Sequence, residues 1–220
     1  IHELLGSVPY ERVEVPRDEV GAFFAAHRYR GLNVTIPYKC DAARAADVRS
    51  KAVERLGNAN TLVVREDGTL FADNTDYHGF SRQLDLIHAN VAGQACLVLG
   101  DGGAAATVRA VLADRGASLV VSASRKGELT FAALAGDVAA ASPSQIAQAD
   151  ALRAEVVLIV NATPVGMYPH ADDDMLVDLD RFPALRYVCD LVYNPLRTRL
   201  IQEGRARGLA CAGGLSMLVA

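Results

Sequence analysis

The feature that most constrains the fold of this chain is a glycine-rich turn between an apolar strand and a helix. Residues 97–105 read Leu-Val-Leu-Gly-Asp-Gly-Gly-Ala-Ala, in which Gly100, Gly102 and Ala105 match G-x-G-x-x-G/A. The first glycine of this pattern permits a tight turn, the second lets the backbone approach a pyrophosphate, and the small third residue lets helix pack on strand. The turn therefore predicts a dinucleotide site at a helix N-terminus; a tight corner without a ligand is the alternative.

Four short apolar runs predict a parallel sheet in the second half of the chain. They are Cys96–Leu99, Leu119–Ser122, Val156–Val160 and Tyr187–Val192. Runs of ~4–6 such residues are typical of strands buried on both faces of a parallel sheet. The helix-length stretch Ala104–Arg115 lies between the first two runs, which gives a strand–helix–strand unit. This half is predicted to be doubly wound α/β.

The first half has a different pattern, and we place a domain boundary near Asp76–Tyr77. The strand-like segments there are Val13–Val15, Gly31–Ile36 and Thr61–Val64, and the helix-like ones are Val20–Ala26 and Ala42–Leu56.

Charge and cysteine usage exclude several classes of function. Lys and Arg number 22 against 26 Asp and Glu, a net charge of −4, so neither nucleic acid nor an anionic membrane is expected as a partner. No apolar run approaches the ~20 residues of a membrane helix. The 4 cysteines form no CxxC pair, and the 5 histidines form no ligand cluster, so no metal site is expected. Reduced thiols in a cytoplasmic protein fit best.

The end of the second strand predicts which nicotinamide cofactor binds. NAD sites usually have an Asp or Glu there to hold the ribose 2′-hydroxyl. This sequence instead has Ser124, Arg125 and Lys126, which are donors suited to a 2′-phosphate. NADP is therefore preferred; the alternative is that Arg125 and Lys126 are ordinary surface cations.

The first half contains a group of polar residues suited to carbonyl chemistry. Asn33 to Lys39 run from a strand into a helix start, and Asp67-Gly68 predicts the turn of a hairpin. Asn60 and Asp76 are equidistant from Gly68, so pairing about the turn would bring them together to within about one residue of register. Reduction of a carbonyl needs a proton donor, and a lysine beside an aspartate can supply it.

Each of these residues also has a simpler interpretation. Lys39 could be a solvated surface lysine, Asp76 a helix N-cap, and Asn60 a turn residue at a strand end.

Taken together, the motifs resemble the shikimate dehydrogenase family, in the family's order and over nearly the whole chain. The matching segments are Asn33-Val34-Thr35-Ile36-Pro37-Tyr38-Lys39, Gly57-Asn58-Ala59-Asn60-Thr61, Asn74-Thr75-Asp76, Gly100-Asp101-Gly102-Gly103-Ala104-Ala105, Asn161-Ala162-Thr163-Pro164-Val165-Gly166-Met167, Asp190-Leu191-Val192-Tyr193-Asn194-Pro195 and Gly213-Gly214-Leu215-Ser216-Met217-Leu218.

The resemblance implies an α/β fold: an N-terminal α/β substrate domain over 1–76, to which 214–220 returns, and a Rossmann-like doubly wound NADP-binding domain over 77–213. The implied activity is the reversible, NADPH-dependent reduction of 3-dehydroshikimate to shikimate, on the route to chorismate and the aromatic amino acids. A small-molecule substrate would then be the partner, and a second copy of the chain in a homodimer is left open.

The resemblance also implies roles for individual residues. Lys39 is similar to the family's general acid/base, and Asp76 to its catalytic partner and ligand of a substrate hydroxyl. The remaining substrate-binding positions are Thr35, Asn60 and Tyr193. The implied cofactor-binding positions are Gly100, Asp101, Gly102, Gly103, Ala104, Ser124, Arg125, Lys126, Thr163, Leu191, Gly214 and Met217.

Several features depart from the family pattern. Ser124-Arg125-Lys126 stands where the family has Asn-Arg-Thr, and Asp101 replaces a small residue. The family's Ser-x-Ser pair would precede Ile1 and a glutamine would follow Ala220, and we expect the natural protein to have both. Two alternatives are a quinate or shikimate dehydrogenase that uses NAD, and a cofactor-binding regulator without turnover.

Overall fold

The structure, a computed structural model, describes residues 9–35, 37–137 and 139–219. The chain forms two compact units, Ile1–Asn74 and Thr75–Ala220. This division falls two residues before the boundary predicted from the sequence. None of the helices in the described part of the chain is long and apolar enough to cross a membrane.

The first unit is built on a small mixed sheet covered by short helices. Its strands have the order β1-β3-β4-β2, in which β1–β3 and β3–β4 are antiparallel and β2–β4 is parallel. The strands are β1 (Gly31–Asn33), β2 (Val48–Arg49), β3 (Thr61–Val64) and β4 (Leu70–Asp73), and the helices are α1 (Val20–Ala25), α2 (Lys39–Ala45) and α3 (Lys51–Leu56). Phe24, Leu62 and Leu70 are buried at the centre of its core.

The predicted helix Ala42–Leu56 is wrong, because a strand interrupts it. Ala46 is extended, and the next residues pair with β4: Asp47 N donates to Leu70 O at 2.9 Å, and its carboxylate accepts from Leu70 N at 2.8 Å. Ser50 Oγ then caps α3 by accepting from Val53 N. Aspartate and serine side chains compete in this way with helical backbone bonds, so they end one helix and begin the next.

Two strand predictions in the first unit also need correction. Val13–Val15 forms no strand, and its residues are largely exposed, so no core face is available to order them. The strand predicted over Gly31–Ile36 ends at Asn33, and Ile36 lies outside the described residues.

The second unit is a six-stranded sheet in which all neighbouring strands are parallel. Its order is β10-β9-β8-β5-β6-β7. The strands are β5 (Ala95–Leu99), β6 (Leu119–Ser124), β7 (Leu129–Thr130), β8 (Val156–Asn161), β9 (Tyr187–Asp190) and β10 (Ala210–Ala212). The helices are α4 (Thr75–Leu86), α5 (Gly103–Asp114), α6 (Phe131–Ala135), α7 (Pro143–Glu155), α8 (Arg199–Ala206) and α9 (Leu215–Leu218). The predicted doubly wound fold is confirmed.

Each face of this sheet has its own apolar layer. Leu97 and Ile159 point into one buried cluster, and Val98 and Leu158 point into the other. Because β5 and β8 are buried on both faces, their sequences are continuous apolar runs rather than alternating ones.

The strand order locates the ligand crevice. Read from the β7 edge, the strands follow the chain order 3-2-1-4-5-6, and the winding reverses between β5 and β8. Ligands of such folds bind outside the carboxyl ends of the strands at this switch point. The turn after Leu99 therefore lies where a dinucleotide site is expected.

A buried glutamine of α4 is hydrogen-bonded to the ends of two strands of the sheet. Gln83 Nε2 donates to Asp190 O at 3.1 Å and to Ala212 O at 2.9 Å, at the ends of β9 and β10. The backbone and side chain of Met217 in α9 lie directly over Gly79 of α4. Helix α9 thus packs within the second unit, and the predicted return of 214–220 to the first domain stays a prediction.

Candidate active site

The glycine-rich turn lies at the switch point, between the ends of β5 and β8. Gly100 has φ +117°, and its N–H donates to Ala123 O at 2.7 Å. A Cβ at this position would lie 3.1 Å from Ala162 O and 3.2 Å from Thr163 Cγ2. Both the backbone conformation and the close approach therefore require glycine.

The start of α5 leaves room for a phosphate group. Gly102 is the N-cap of α5, and glycine has no side chain that could accept from the first N–H groups of the helix. Open space surrounds the position of a Cβ at Gly102 and at Gly103, and both are exposed. Ala104 is half-buried and Asp101 is exposed, so the Asp101 carboxylate is solvated. Uncapped N–H groups at this end of a helix fit the pyrophosphate of a dinucleotide.

A cavity of about 340 Å³ adjoins the end of β6. Ser124, Gly127, Glu128 and Asp101 are among its lining residues. Ser124 Oγ is buried and has no hydrogen-bond partner among the residues that the structure describes, so a ligand oxygen in the cavity would satisfy it. Arg125 and Lys126, on the segment that leaves β6, are exposed. Together with the glycine turn, these residues fit a dinucleotide that carries a 2′-phosphate.

Three of the other predicted cofactor-binding residues come together beyond the ends of β9 and β10. Gly214 N donates to Val192 O at 3.1 Å, and a Cβ on Gly214 would lie 2.2 Å from Leu191 O, which no side chain allows. Met217 follows on α9, and Tyr193 is half exposed. Thr163 lies against Gly100.

In the first unit, backbone hydrogen bonds join the segments that carry the predicted substrate-binding residues. Lys39 is the first residue of α2, and its carbonyl accepts from Ala59 N at 2.8 Å. Asn60 O accepts from Val34 N at 2.7 Å, next to the exposed Thr35. Lys39 itself is half-buried, which differs from the fully solvated lysine of the simpler interpretation.

At the open end of the predicted hairpin, the side chains of two asparagines are hydrogen-bonded to each other. Asn74 Nδ2 donates to Asn58 Oδ1 at 2.6 Å, and both side chains are buried. Thr61 pairs with Asp73 in the sheet, so Asn60 is opposite Asn74 and Asp76 lies two residues further on. Thr61 Oγ1 donates to Asn60 Oδ1 at 3.0 Å, which orients the Asn60 amide.

Asp76 lies in the first turn of α4, in the second unit, and not in the hairpin. The helix begins one residue earlier, at Thr75, so the N-cap interpretation of Asp76 is wrong. A carboxylate in the first turn is favoured by the helix dipole.

Sequence reasoning gave no role to two buried polar residues, Asn161 and Asp190. Each ends an otherwise apolar strand, and an Asn161 Nδ2 hydrogen bond of 3.0 Å to Asp190 Oδ1 joins them. Burial raises the pKa of Asp190, against the effect of its hydrogen bonds from Thr198, Val192 and Asn161. The signal in the sequence was a polar residue at the carboxyl end of a strand buried on both faces.

Comparison with known proteins identifies the family. A family model described as the shikimate dehydrogenase substrate binding domain matches residues 3–62. A shikimate dehydrogenase (NADP(+)) of Methylobacterium radiotolerans is 40% identical over 231 aligned residues, which cover 100% of this chain and 79% of that protein. The chain belongs to the shikimate dehydrogenase family. Its glycine-rich turn, doubly wound sheet and polar first unit are thus those of a dehydrogenase.

Solved structures of family members share the fold. A shikimate 5-dehydrogenase from Listeria monocytogenes, in complex with shikimate and NAD, matches with a TM-score of 0.75 and 29% identity, over 94% of this chain and 76% of that one. A quinate dehydrogenase from Corynebacterium glutamicum, in complex with NAD, matches with a TM-score of 0.72 and 25% identity, over 91% and 73%.

Proposed function

We propose that this dehydrogenase catalyses the reversible, NADPH-dependent reduction of 3-dehydroshikimate to shikimate. The observation that carries the proposal is the turn at Gly100, which lies at the switch point of the parallel sheet. The chain that forms this turn is 40% identical along its whole length to a shikimate dehydrogenase (NADP(+)). The same proposal places the protein in the cytoplasm. It leaves two oligomeric states, a monomer and a homodimer.

The cofactor would be held by the second unit. Gly100, Gly102 and Gly103 offer backbone to the pyrophosphate, and Ser124 with Arg125 and Lys126 offers donors to the 2′-phosphate. When bound, NADPH supplies the hydride that adds to the substrate carbonyl carbon. Thr163, Leu191, Gly214 and Met217 would contact its nicotinamide half.

Lys39 and Asp76 would carry the proton chemistry. During reduction the Lys39 ammonium donates a proton from Nζ to the carbonyl oxygen, and during oxidation the neutral amine takes it back from the hydroxyl. The Asp76 carboxylate would accept a hydrogen bond from a substrate hydroxyl. Both groups are half-buried, which limits competition from water.

Thr35, Asn60 and Tyr193 would orient the substrate ring. A hydroxyl, an amide and a phenol can each donate and accept hydrogen bonds, which suits a ring with several hydroxyl groups. The amide of Asn60 is already oriented by Thr61, so less freedom is lost when substrate binds.

A second candidate activity is the oxidation of quinate with NAD. It is favoured by the similarity to the Corynebacterium quinate dehydrogenase. It is also favoured by Glu128, which lines the cavity near Ser124, because NAD sites have an acidic residue in this region that binds the hydroxyl groups of the ribose.

Steady-state rates of the purified protein distinguish these activities. Shikimate and quinate are each supplied with NADP and with NAD, and formation of the reduced nicotinamide is followed by absorbance. The proposal expects the highest kcat/KM for shikimate with NADP. A higher kcat/KM for quinate with NAD would establish the second candidate, and NADPH binding without any turnover would indicate a regulator.

A further inference from the structure

We propose that Asn161, held in place by the buried carboxylate of Asp190, is a positioning residue that fixes the loop 161–166 beside the glycine-rich turn. The inference rests on the proposed function, since it assigns this loop to the nicotinamide half of the cofactor through Thr163.

The side chain of Asn161 is fully used by hydrogen bonds. Oδ1 accepts from Thr163 N at 3.1 Å and from Thr163 Oγ1 at 2.7 Å. Nδ2 donates to Val165 O at 3.1 Å and to Asp190 Oδ1 at 3.0 Å. One buried amide thus contacts two residues of the loop and one strand end.

Asp190 sets the orientation of that amide. A carboxylate only accepts, so it requires the NH₂ group of Asn161 on its side and directs the carbonyl oxygen toward Thr163. Asp190 is itself fixed, because Oδ1 also accepts from Val192 N at 3.0 Å and Oδ2 accepts from Thr198 Oγ1 at 2.6 Å. Asp190 is 0% exposed, and hydrogen bonds to a charged group are stronger away from water.

The loop depends on these side chains because the backbone–backbone hydrogen bonds described for the chain hold only its two ends. Ala162 N donates to Leu99 O and Met167 N to Pro164 O, at the two ends of the loop. Between them, the hydrogen bonds that the structure describes for Thr163 and Val165 all involve Asn161 or the Thr163 hydroxyl, including Val165 N to Thr163 Oγ1 at 3.2 Å.

The position of this loop bears directly on the cofactor site. Thr163 Cγ2 lies 3.2 Å from the place that a Cβ on Gly100 would take, so Thr163 and the glycine turn are in contact. A loss of order at Thr163 therefore alters the surface that Thr163 and the glycine-rich turn form at the switch point. Hydride transfer is sensitive to misplacement of the reacting groups by about 1 Å.

The first test measures the loop itself, without cofactor or substrate. Amide hydrogen exchange of the peptide that spans 161–167 is compared between the parent protein and Asn161→Ala. We expect exchange at Thr163 and Val165 to become about tenfold faster or more in the variant. Ser142→Ala is the matched control: it removes a helix cap in the same unit and should leave this exchange unchanged.

The second test measures geometry during turnover. With NADPH deuterated at the transferred position, the isotope effect on kcat should rise in Asn161→Ala, because hydride transfer becomes slower by ~10–100-fold and limits the rate. KM for 3-dehydroshikimate should stay within about twofold, since the described hydrogen bonds of Asn161 go to Thr163, Val165 and Asp190, none of which is proposed to bind that substrate. A merely structural role would lower stability without changing the isotope effect.

A pair exchange keeps the inference falsifiable if Asn161→Ala does not fold. Asn161→Asp sets two carboxylates against each other, and adding Asp190→Asn restores one donor and one acceptor across the pair. We expect the single variant to lose loop protection and the double variant to regain part of it. Parent-like exchange and isotope effect in both Asn161→Ala and Asn161→Asp would overturn the inference. Absence of turnover in the parent protein would instead overturn the proposed function, and the exchange measurement would still stand.

Discussion

At the scale of single residues, Lys39 offers the most direct test of the proposed chemistry. We expect Lys39→Ala to lower kcat by ~10²–10⁴, because a general acid/base is removed, while NADPH still binds. Steady-state kinetics and a fluorescence titration with NADPH measure the two effects. Lys51→Ala, at an exposed position that begins α3 in the same unit, is the control and should keep full activity. An equal loss of NADPH affinity in Lys39→Ala would show that Lys39 has another role.

Asp190 predicts a pH dependence of stability. Because its pKa is raised in the folded protein, the folded state holds the proton more tightly than the unfolded chain does. The contribution of the protonated carboxyl is therefore fully present below the unfolded pKa of 3.8 and is lost as pH rises through the folded pKa.

Urea unfolding of the parent protein and of Asp190→Asn measures this contribution. The stability of the parent relative to the variant should fall as pH is raised from about 4 to about 7. A relative stability that rises over the same range would mean that the hydrogen bonds from Thr198, Val192 and Asn161 outweigh burial.

At the scale of elements, the turn at Gly100 couples strain to cofactor binding. Gly100→Ala forces a side chain into φ +117° and against Ala162 O, so we expect a loss of about 1–3 kcal/mol in stability and at least about tenfold weaker NADPH binding. Gly208→Ala is the matched control, since its φ is +74° and its Cβ would meet open space. Gly208→Ala should lose some stability and bind NADPH normally. A similar loss of NADPH binding in both variants would show that the turn at Gly100 is not part of the cofactor site.

The capping box of α7 is a second test at this scale. Ser142 Oγ accepts from Gln145 N at 3.3 Å, and Gln145 Oε1 accepts from Ser142 N at 3.0 Å. Ser142→Ala should cost about 0.5–2 kcal/mol in urea unfolding and leave kcat unchanged. Ser118→Ala, at an exposed loop position, is the comparison and should unfold at the parent midpoint.

Strands were predictable from the sequence where burial alone determined them. The runs at β5 and β8 are apolar throughout because both faces are covered, and the segments between them are long enough for helices. Strand β2 was missed because it has only two residues, whose pairing with β4 depends on the Asp47 backbone and carboxylate rather than on a hydrophobic pattern. The glycine turn and the hairpin were found because local backbone geometry dictates their residues.

The pairing between buried polar residues was not predictable. Asn161 and Asp190 are 29 residues apart, and only the neighbouring positions of β8 and β9 in the sheet bring them together. Ser124 was predicted to bind the cofactor, but only the structure shows that its hydroxyl is buried and has no hydrogen-bond partner within the described part of the chain.

At the scale of the whole molecule, cofactor binding should stabilise the second unit. NADPH at about 100 times its Kd is expected to raise the free energy of unfolding by about 2.7 kcal/mol, because it binds the folded state alone. Urea unfolding with and without NADPH measures this, and Lys39→Ala should show the same gain. An equal gain with NAD at the same concentration would contradict discrimination by Ser124 and its basic neighbours.

The bond from Gln83 to Ala212 spans 129 residues and makes assembly of the second unit depend on its last strand, β10. While a ribosome is still synthesising β10, α4 has neither that carbonyl nor α9 to cover it. The nascent polypeptide therefore keeps an incompletely covered helix until β10 and α9 have emerged. Folding of this unit consequently waits for these late elements, and we expect shortened chains that stop before β10 to be substrates for chaperones and proteases.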